Sequence, residues 1–251
     1  MKELQPLWNK KVLSINHSLI VADLHVGYER ELEKKGVNLP SQTNVMSQEI
    51  CDILKDSKYK RLVINGDLKH NIPSSTWQEY KEIPRIIDLW LEFVEEIHLV
   101  LGNHDGGIDR YLPSDVIIHE SNGYVMDDIG ILHGHANPSE EVLDSKTIVL
   151  AHSHPTISTF DNLGVREKIQ CWIKMRFEYE DFEGNIVLMP HFNNLLGGNS
   201  INENGFMGPL LNNSNLKDEE VYLLDGTYLG TLEDFRTLQI GVYENMNSDI
   251  E

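Results

Sequence analysis

The chain has 251 residues, 40% of them hydrophobic and 24% charged, which is enough for one large domain with a core of its own. Lys plus Arg is 21 and Asp plus Glu is 40, a formal charge of −19. So acidic a chain has no whole-surface attraction for nucleic acid or an anionic membrane, and an anionic substrate must be drawn by a local positive element such as a metal site.

Two cysteines, Cys51 and Cys171, cannot make a disulfide scaffold and read as reduced thiols of a cytosolic protein. Lys2, Glu3, Lys10 and Lys11 interrupt the start, so no targeting segment is read there, and no run reaches the length of a membrane span. The expectation is a cytoplasmic protein with no membrane partner. No linker or repeat divides the chain. A single domain is expected over 1–244, with a disordered acidic tip at 245–251.

In chain order, Lys11–Ile15 and Leu19–Ala22 read as a hairpin entering the core. Ser41 to Lys55 carries Val45, Met46, Ile50, Ile53 and Leu54 near helical spacing after a Pro40-Ser41 start. Arg61–Asn65 is a short buried strand. Trp77 to Glu96 is helical in pattern, with Pro84 as a break or kink. Ile97–Leu101 is a second buried strand. Gly123–Val125 and Gly130–His133 form a hairpin, and Thr147–Ala151 another strand. Ile169–Tyr179, Asn185–Met189 and Val221–Leu224 are β-like, and Gly197–Leu211 reads as a surface loop. From Asn212 to the end there are nine acids and two bases. Strand and helix alternate first and strands dominate later, so the expected architecture is a two-layer β core with helices outside.

Eleven histidines are the informative count. Five polar clusters each close an apolar strand: Asp23-Leu24-His25, Gly66-Asp67, Gly102-Asn103-His104-Asp105, His133-Gly134-His135 and His152-Ser153-His154. Alternate residues of an extended segment face one way, so Asp23 and His25 are expected to point together, as are His152 and His154. Gly66, Gly102 and Gly134 would let backbone approach a metal or phosphate. Taken singly, Asp-x-His is ordinary surface polarity, Gly-Asp a turn, and a buried His a packed core group. Five in series suggest more. Imidazole with carboxylate suits Mn, Fe or Zn rather than calcium, and there are ligands enough for two ions.

The order Asp-x-His, Gly-Asp, Gly-Asn-His-Asp, His-Gly and a closing His-x-His resembles the calcineurin-like metallophosphoesterases, over Asp23 to His154. Ala151 stands where the family usually has Gly. Gly66-Asp67-Leu68-Lys69-His70 and Met189 to Gly198 further resemble an archaeal and bacterial branch, whose bacterial members are often encoded beside a DNA ligase and an Lhr-type helicase. The usual Pro-Ala-Phe of that branch is here Pro190-His191-Phe192.

The resemblance implies a four-layer α-β-β-α sandwich, two mixed sheets flanked by helices. It implies two divalent ions, Mn first, with Fe, Zn, Ni or Mg as alternatives. Asp23, His25, Asp67 and His154 would hold one ion, and Asp67, Asn103, His133 and His152 the other. His104 would face the substrate and assist the leaving group during in-line attack by a metal-bridging hydroxide, with Asp105 orienting the His104 ring. His70 and His135 are left between substrate contact and supporting roles. His70 would otherwise orient Asp67, and His135 would otherwise pack.

The implied substrate is a phosphodiester, single-stranded DNA or another nucleic acid first, with a ligase or helicase partner and a homodimer as further expectations. Lys58, Lys60 and Arg61, and Arg166, Lys168, Lys174 and Arg176, are two basic groups with Tyr59 and Trp172 among them to stack on bases, or else two solvated charged faces. The rivals are a small-molecule phosphatase or nucleotide phosphodiesterase, which fits the acidic surface better, and a metal-binding partner subunit of a helicase complex.

Overall fold

The structure, a computed structural model, describes residues 4–56, 58–160 and 165–237. The expected tip at 245–251 and the domain limit at 244 lie outside the described residues.

The first sheet takes its strands in chain order: β1 (Leu4–Leu7), β2 (Val12–Ile15), β3 (Ser18–Val21), β4 (Arg61–Asn65), β5 (Glu96–Val100) and β6 (Val116–His119). The first three meander antiparallel, and β3 to β6 run parallel. The crossover from β3 to β4 carries α1 (Glu29–Lys34) and α2 (Thr43–Leu54), and the crossover from β4 to β5 carries α3 (Trp77–Leu91). The second sheet holds β7 (Tyr124–Met126), β8 (Ile129–Leu132), β9 (Thr147–Leu150), β10 (Pro155–Phe160), β11 (Arg166–Tyr179), β12 (Phe182–Leu188), β13 (Asn199–Ser200), β14 (Asn215–Leu223) and β15 (Tyr228–Thr231). Short helices α4 (Glu140–Leu143), α5 (Ile201–Asn204) and α6 (Pro209–Asn213) accompany it.

Period-two alternation sorts the apolar residues into three cores. On β4, Leu62 and Ile64 face Ile50, Leu54, Ile83, Ile87 and Trp90 of α2 and α3. Val63, between them, faces the second sheet with Ile20, Ile131, Val149, Trp172 and Val187. On β9, Val149 joins that inter-sheet core, while Ile148 and Leu150 face outward to Val142, Leu143, Ile201, Leu210 and Leu211 of the short helices. The result is the α-β-β-α sandwich. Strands buried on both faces read as continuous apolar runs, which is why β3, β4 and β9 are plain in the sequence.

Two expectations fail for physical reasons. Of the break or kink expected at Pro84 the break does not occur, for α3 runs through it from Trp77 to Leu91. A capping box anchors this helix, with Thr76 accepting from the Glu79 N–H and Glu79 accepting from the Thr76 N–H. The Gly/Asn-rich segment 197–211 is not a surface loop. It holds β13, α5 and the start of α6, and it buries Ile201, Leu210 and Leu211 on the second sheet.

The basic groups change meaning as well. Tyr59 and Trp172 are buried in the helix-side and inter-sheet cores, so neither can stack on a base. Lys60 pairs with Glu95, Arg61 with Glu96, Arg166 with Glu203 and Arg176 with Asp218, and Lys174 lies over the Tyr222 ring. Replacing Trp172 by Ala is therefore expected to cost about 3–5 kcal/mol of unfolding free energy in urea titration, as for a large core aromatic. A Trp172→Ala protein as stable as the parent would place that side chain outside the core.

Candidate metal centre

Strands β3, β4 and β5 are parallel neighbours in one sheet, and β8 and β9 are parallel neighbours in the other. Each is followed at its carboxyl end by one of the five clusters, the edge at which ligand sites of α/β sheets gather. Asn65, at the end of β4, joins the two sheets there: its Nδ2 donates to the carbonyls of Leu132 (3.1 Å) and Val149 (3.4 Å).

The clusters converge into two groups that share Asp67, beside a third of His25, His70 and His104 whose nitrogens are equally close to one another. Asp23, His25, Asp67 and His154 bring one ligand atom each within 4.8 Å of one another, and so do Asp67, His133 and His152. Oδ2 of Asp67 is 3.4 Å from Nε2 of His25 and 3.4 Å from Nε2 of His133, and Nε2 of His154 is 3.1 Å from Oδ1 of Asp23. Apart from Asn103, these groups contain the residues that the resemblance assigns to two ions. Asn103 lies exposed on the turn between Gly102 and His104, and its place in the second set rests on the motif.

The backbone reaches this convergence by a route the sequence does not suggest. Asp23 (φ 56°), His25 (44°), Asp67 (52°), His152 (63°) and His154 (45°) all lie in the left-handed region, so neither Asp23-Leu24-His25 nor His152-Ser153-His154 is an extended segment. Each such residue costs on the order of 1–3 kcal/mol and persists only where its surroundings over-determine it. They do so here. The N–H groups of Asp23 and His25 donate to the carbonyls of Gly66 (3.2 Å) and Asp67 (2.8 Å), and Asn193 Nδ2 donates to the Leu24 carbonyl at 2.9 Å. The glycines serve the side chains rather than a ligand: a Cβ on Gly66 would lie 2.2 Å from Nδ1 of His133, and one on Gly102 would lie 2.2 Å from Oδ1 of Asp67.

The donor set fits divalent cations. Both carboxylate oxygens of Asp23 and the Nε2 atoms of His25, His133 and His154 are buried without a hydrogen-bond partner, and they face the same space. Nε2 of His154 and Oδ1 of Asp23 make an ion-pair contact at 3.1 Å, and the buried polar atoms left without a hydrogen bond are costly and point to a positive partner that satisfies them. Burial disfavours an ionised Asp67, but His133 and then His25 overcome it, and the carboxyl lies well below the ordinary range. Burial likewise opposes a charge on His133, but Asp67 pulls its pKa up to about 9. Burial holds His25 down at about 3 and His152 at about 4.

The remaining candidates sort as follows. His104 stands outside both ligand sets at the rim, partly exposed, with Nε2 4.0 Å from Oδ2 of Asp67. Its N–H donates to Oδ1 of Asp67 (2.9 Å), and its Nδ1 bonds the carbonyl of His70. Asp105 does not orient that ring. It is buried, accepts from the N–H groups of Gly102 (2.9 Å) and Lys69 (3.2 Å), and so braces the loop; burial and then the charge of Asp67 lift its pKa to about 6. His70 is partly exposed, and its ring nitrogens meet Glu31 and His25 rather than Asp67. The His135 ring lies 5.4 Å from that of His133, and its buried Nδ1 has no partner.

Two residues near the site were not read as part of it. Glu31 carries no motif. His191 is buried with its ring 5.2 Å from that of His154 and its Nδ1 unpartnered. The departure from Pro-Ala-Phe was the one signal of it.

A family model described as calcineurin-like phosphoesterase matches residues 17–227, and the chain belongs to that family. It is a metal-dependent phosphoester hydrolase. None of the curated proteins matches the sequence. Among solved structures, the nuclease MPE of Pseudomonas putida is similar, with a TM-score of 0.56 at 16% identity, covering 90% of this chain and 100% of that one. The phosphoesterase Yfce from E. coli is similar at a TM-score of 0.42 and 16% identity, covering 85% and 96%. The first likeness supports the fold.

The raised pKa of His133 has a measurable consequence. Without metal the ring carries a proton below about pH 9, and that proton must leave before Nε2 can bind a cation. Calorimetry of Mn²⁺ binding in buffers of different ionisation enthalpy is expected to show release of about one proton near neutral pH, vanishing well above pH 9. No release at neutral pH would show that His133 is neutral before the metal arrives.

Proposed function

From membership in this family we propose that the chain is a two-metal phosphodiesterase acting on nucleic acid, single-stranded DNA first, with Mn²⁺ as the working ion. Asp23, His25, Asp67 and His154 hold one cation. Asp67, Asn103, His133 and His152 hold the other. When bound, the cations supply a nucleophilic water at neutral pH and neutralise the phosphoryl oxygens.

The observation that carries the reading is the place of His104. Its Nδ1–H is committed to the His70 carbonyl and its backbone N–H to Asp67, so Nε2 is held toward the site without joining either ligand set. An alkoxide leaving group needs a proton, and a positioned imidazolium at the rim, its Nδ1–H kept on the His70 carbonyl, can give up its Nε2 proton and be left as the neutral ring. His104 is thus the general acid. Asp105 keeps the loop that carries it in place. The fold shared with a nuclease supports the polymer substrate.

The paired basic residues and the burial of Tyr59 and Trp172 favour a second reading, hydrolysis of a small phosphate ester. For a nucleic-acid enzyme the same facts mean that the strand is held at the metals. A ligase or helicase as partner, as in the branch the motifs resemble, belongs to the nucleic-acid reading.

The test compares single-stranded DNA, bis-p-nitrophenyl phosphate and p-nitrophenyl phosphate with Mn²⁺ and with chelator. The His104→Ala protein is expected to lose about 10²–10⁴-fold in DNA cleavage, the usual worth of a positioned acid, and much less on nitrophenyl esters, whose leaving group needs no proton. Equal losses on all three would remove the acid role. Cleavage of the monoester alone would establish the second reading.

Metal removal gives a separate prediction. Because the basic side chains are paired, chelator is expected to abolish DNA binding together with cleavage, read by fluorescence anisotropy of a labelled strand. Tight DNA binding in chelator would reveal a basic surface independent of the metals.

A further inference from the structure

The first ligand set is connected to the protein surface by a chain of side chains that ends on Glu31, a residue outside every motif. Glu31, on α1, has its Oε2 2.7 Å from Nε2 of His70, and its other oxygen is held by Lys35. Nδ1 of His70 is 3.2 Å from Nδ1 of His25. Nε2 of His25 is 3.4 Å from Asp67, buried and without a hydrogen-bond partner.

For two neutral rings these contacts have one consistent set of proton positions. An ionised carboxylate only accepts, so the proton on His70 is at Nε2 and points to Glu31. In the neutral ring Nδ1 of His70 is then a bare acceptor. The proton of His25 is therefore at Nδ1, donated to His70, which leaves the lone pair of Nε2 directed into the ligand set. With the opposite tautomer at His70, two N–H groups would face each other across 3.2 Å, or His25 would turn its own N–H toward the cation. The His70 backbone is itself fixed, its N–H donating to the Val26 carbonyl (3.0 Å) and to Oε1 of Glu79 (2.9 Å).

We propose that Glu31 is a positioning residue of the metal centre: acting through His70, it fixes His25 in the tautomer that presents Nε2 to a cation. The proposal rests on the reading of Asp23, His25, Asp67 and His154 as metal ligands. Partners one shell beyond a metal's ligands set ring orientation and tautomer, and their loss typically weakens metal binding about 10–100-fold.

Three variants separate this role from bulk charge. Glu31→Met removes the acceptor and keeps the length. Glu31→Gln keeps an acceptor oxygen without the charge. Lys35→Met removes the neighbouring charge and leaves Glu31 in place. Two readouts are taken on the full chain, ¹⁵N imidazole shifts of the metal-free protein and Mn²⁺ affinity by calorimetry. In the parent, His70 is expected to carry its proton at Nε2 and His25 at Nδ1. In Glu31→Met both rings are expected to show mixed tautomers, and Mn²⁺ affinity at one of two sites to fall about 10–100-fold. Glu31→Gln and Lys35→Met are expected to stay close to the parent.

Unchanged His25 shifts and Mn²⁺ affinities in Glu31→Met would overturn the proposal. So would binding of an ion by His25, His70 and His104, whose nitrogens are also close enough to hold one. The imidazole readout needs neither metal nor substrate, so it decides the tautomer even if the hydrolase reading of the site fails.

Discussion

The constraint on which the rest depends is one buried carboxylate. Asp67 stands within 3.4 Å of a histidine from each ligand set, so it must be ionised in a place where burial opposes ionisation. That is tolerable only beside concentrated positive charge. In the metal-free chain His133 supplies some of it by holding a proton. The buried polar atoms left without a hydrogen bond around the same space show that a proton on one ring does not satisfy the site.

Much of the architecture can be understood as bringing partners to that carboxylate. The parallel run β3 to β5 places Asp23, Asp67 and the His104 loop side by side, and the second sheet delivers His133, His152 and His154 from across the inter-sheet core. Gly66 and Gly102 are small because His133 and Asp67 need the volume. The strained left-handed turns at Asp23, His25 and Asp67 are held by backbone bonds running between the Asp23 and Asp67 segments and onward to Phe192 and Asn193.

The parts legible in the sequence were those with a period or a fixed order. Buried parallel strands give apolar runs, so Arg61–Asn65 was found to the residue, and the polar clusters closing the runs are the ones whose side chains converge. What could not be read depends on contacts across the chain. The pairing of Glu31 with His70 joins residues 39 apart. Asp105 lies next to His104 in sequence but bonds Gly102 and Lys69 instead. Segment 197–211 has the composition of a loop, and its few apolar residues acquire meaning only against the second sheet. Tyr59 and Trp172 stand among basic residues in sequence and point away from them in space.

The charge of the molecule fits the same picture. With a formal charge of −19 and with most of the basic groups read from the sequence paired to acids, attraction for a phosphate ester must be concentrated where the cations are. The most direct measurement is anomalous diffraction from crystals grown with Mn²⁺. The account predicts two peaks bridged by Asp67, one beside Asp23, His25 and His154 and the other beside His133 and His152. A single peak, or peaks that leave Asp67 without a metal contact, would contradict it.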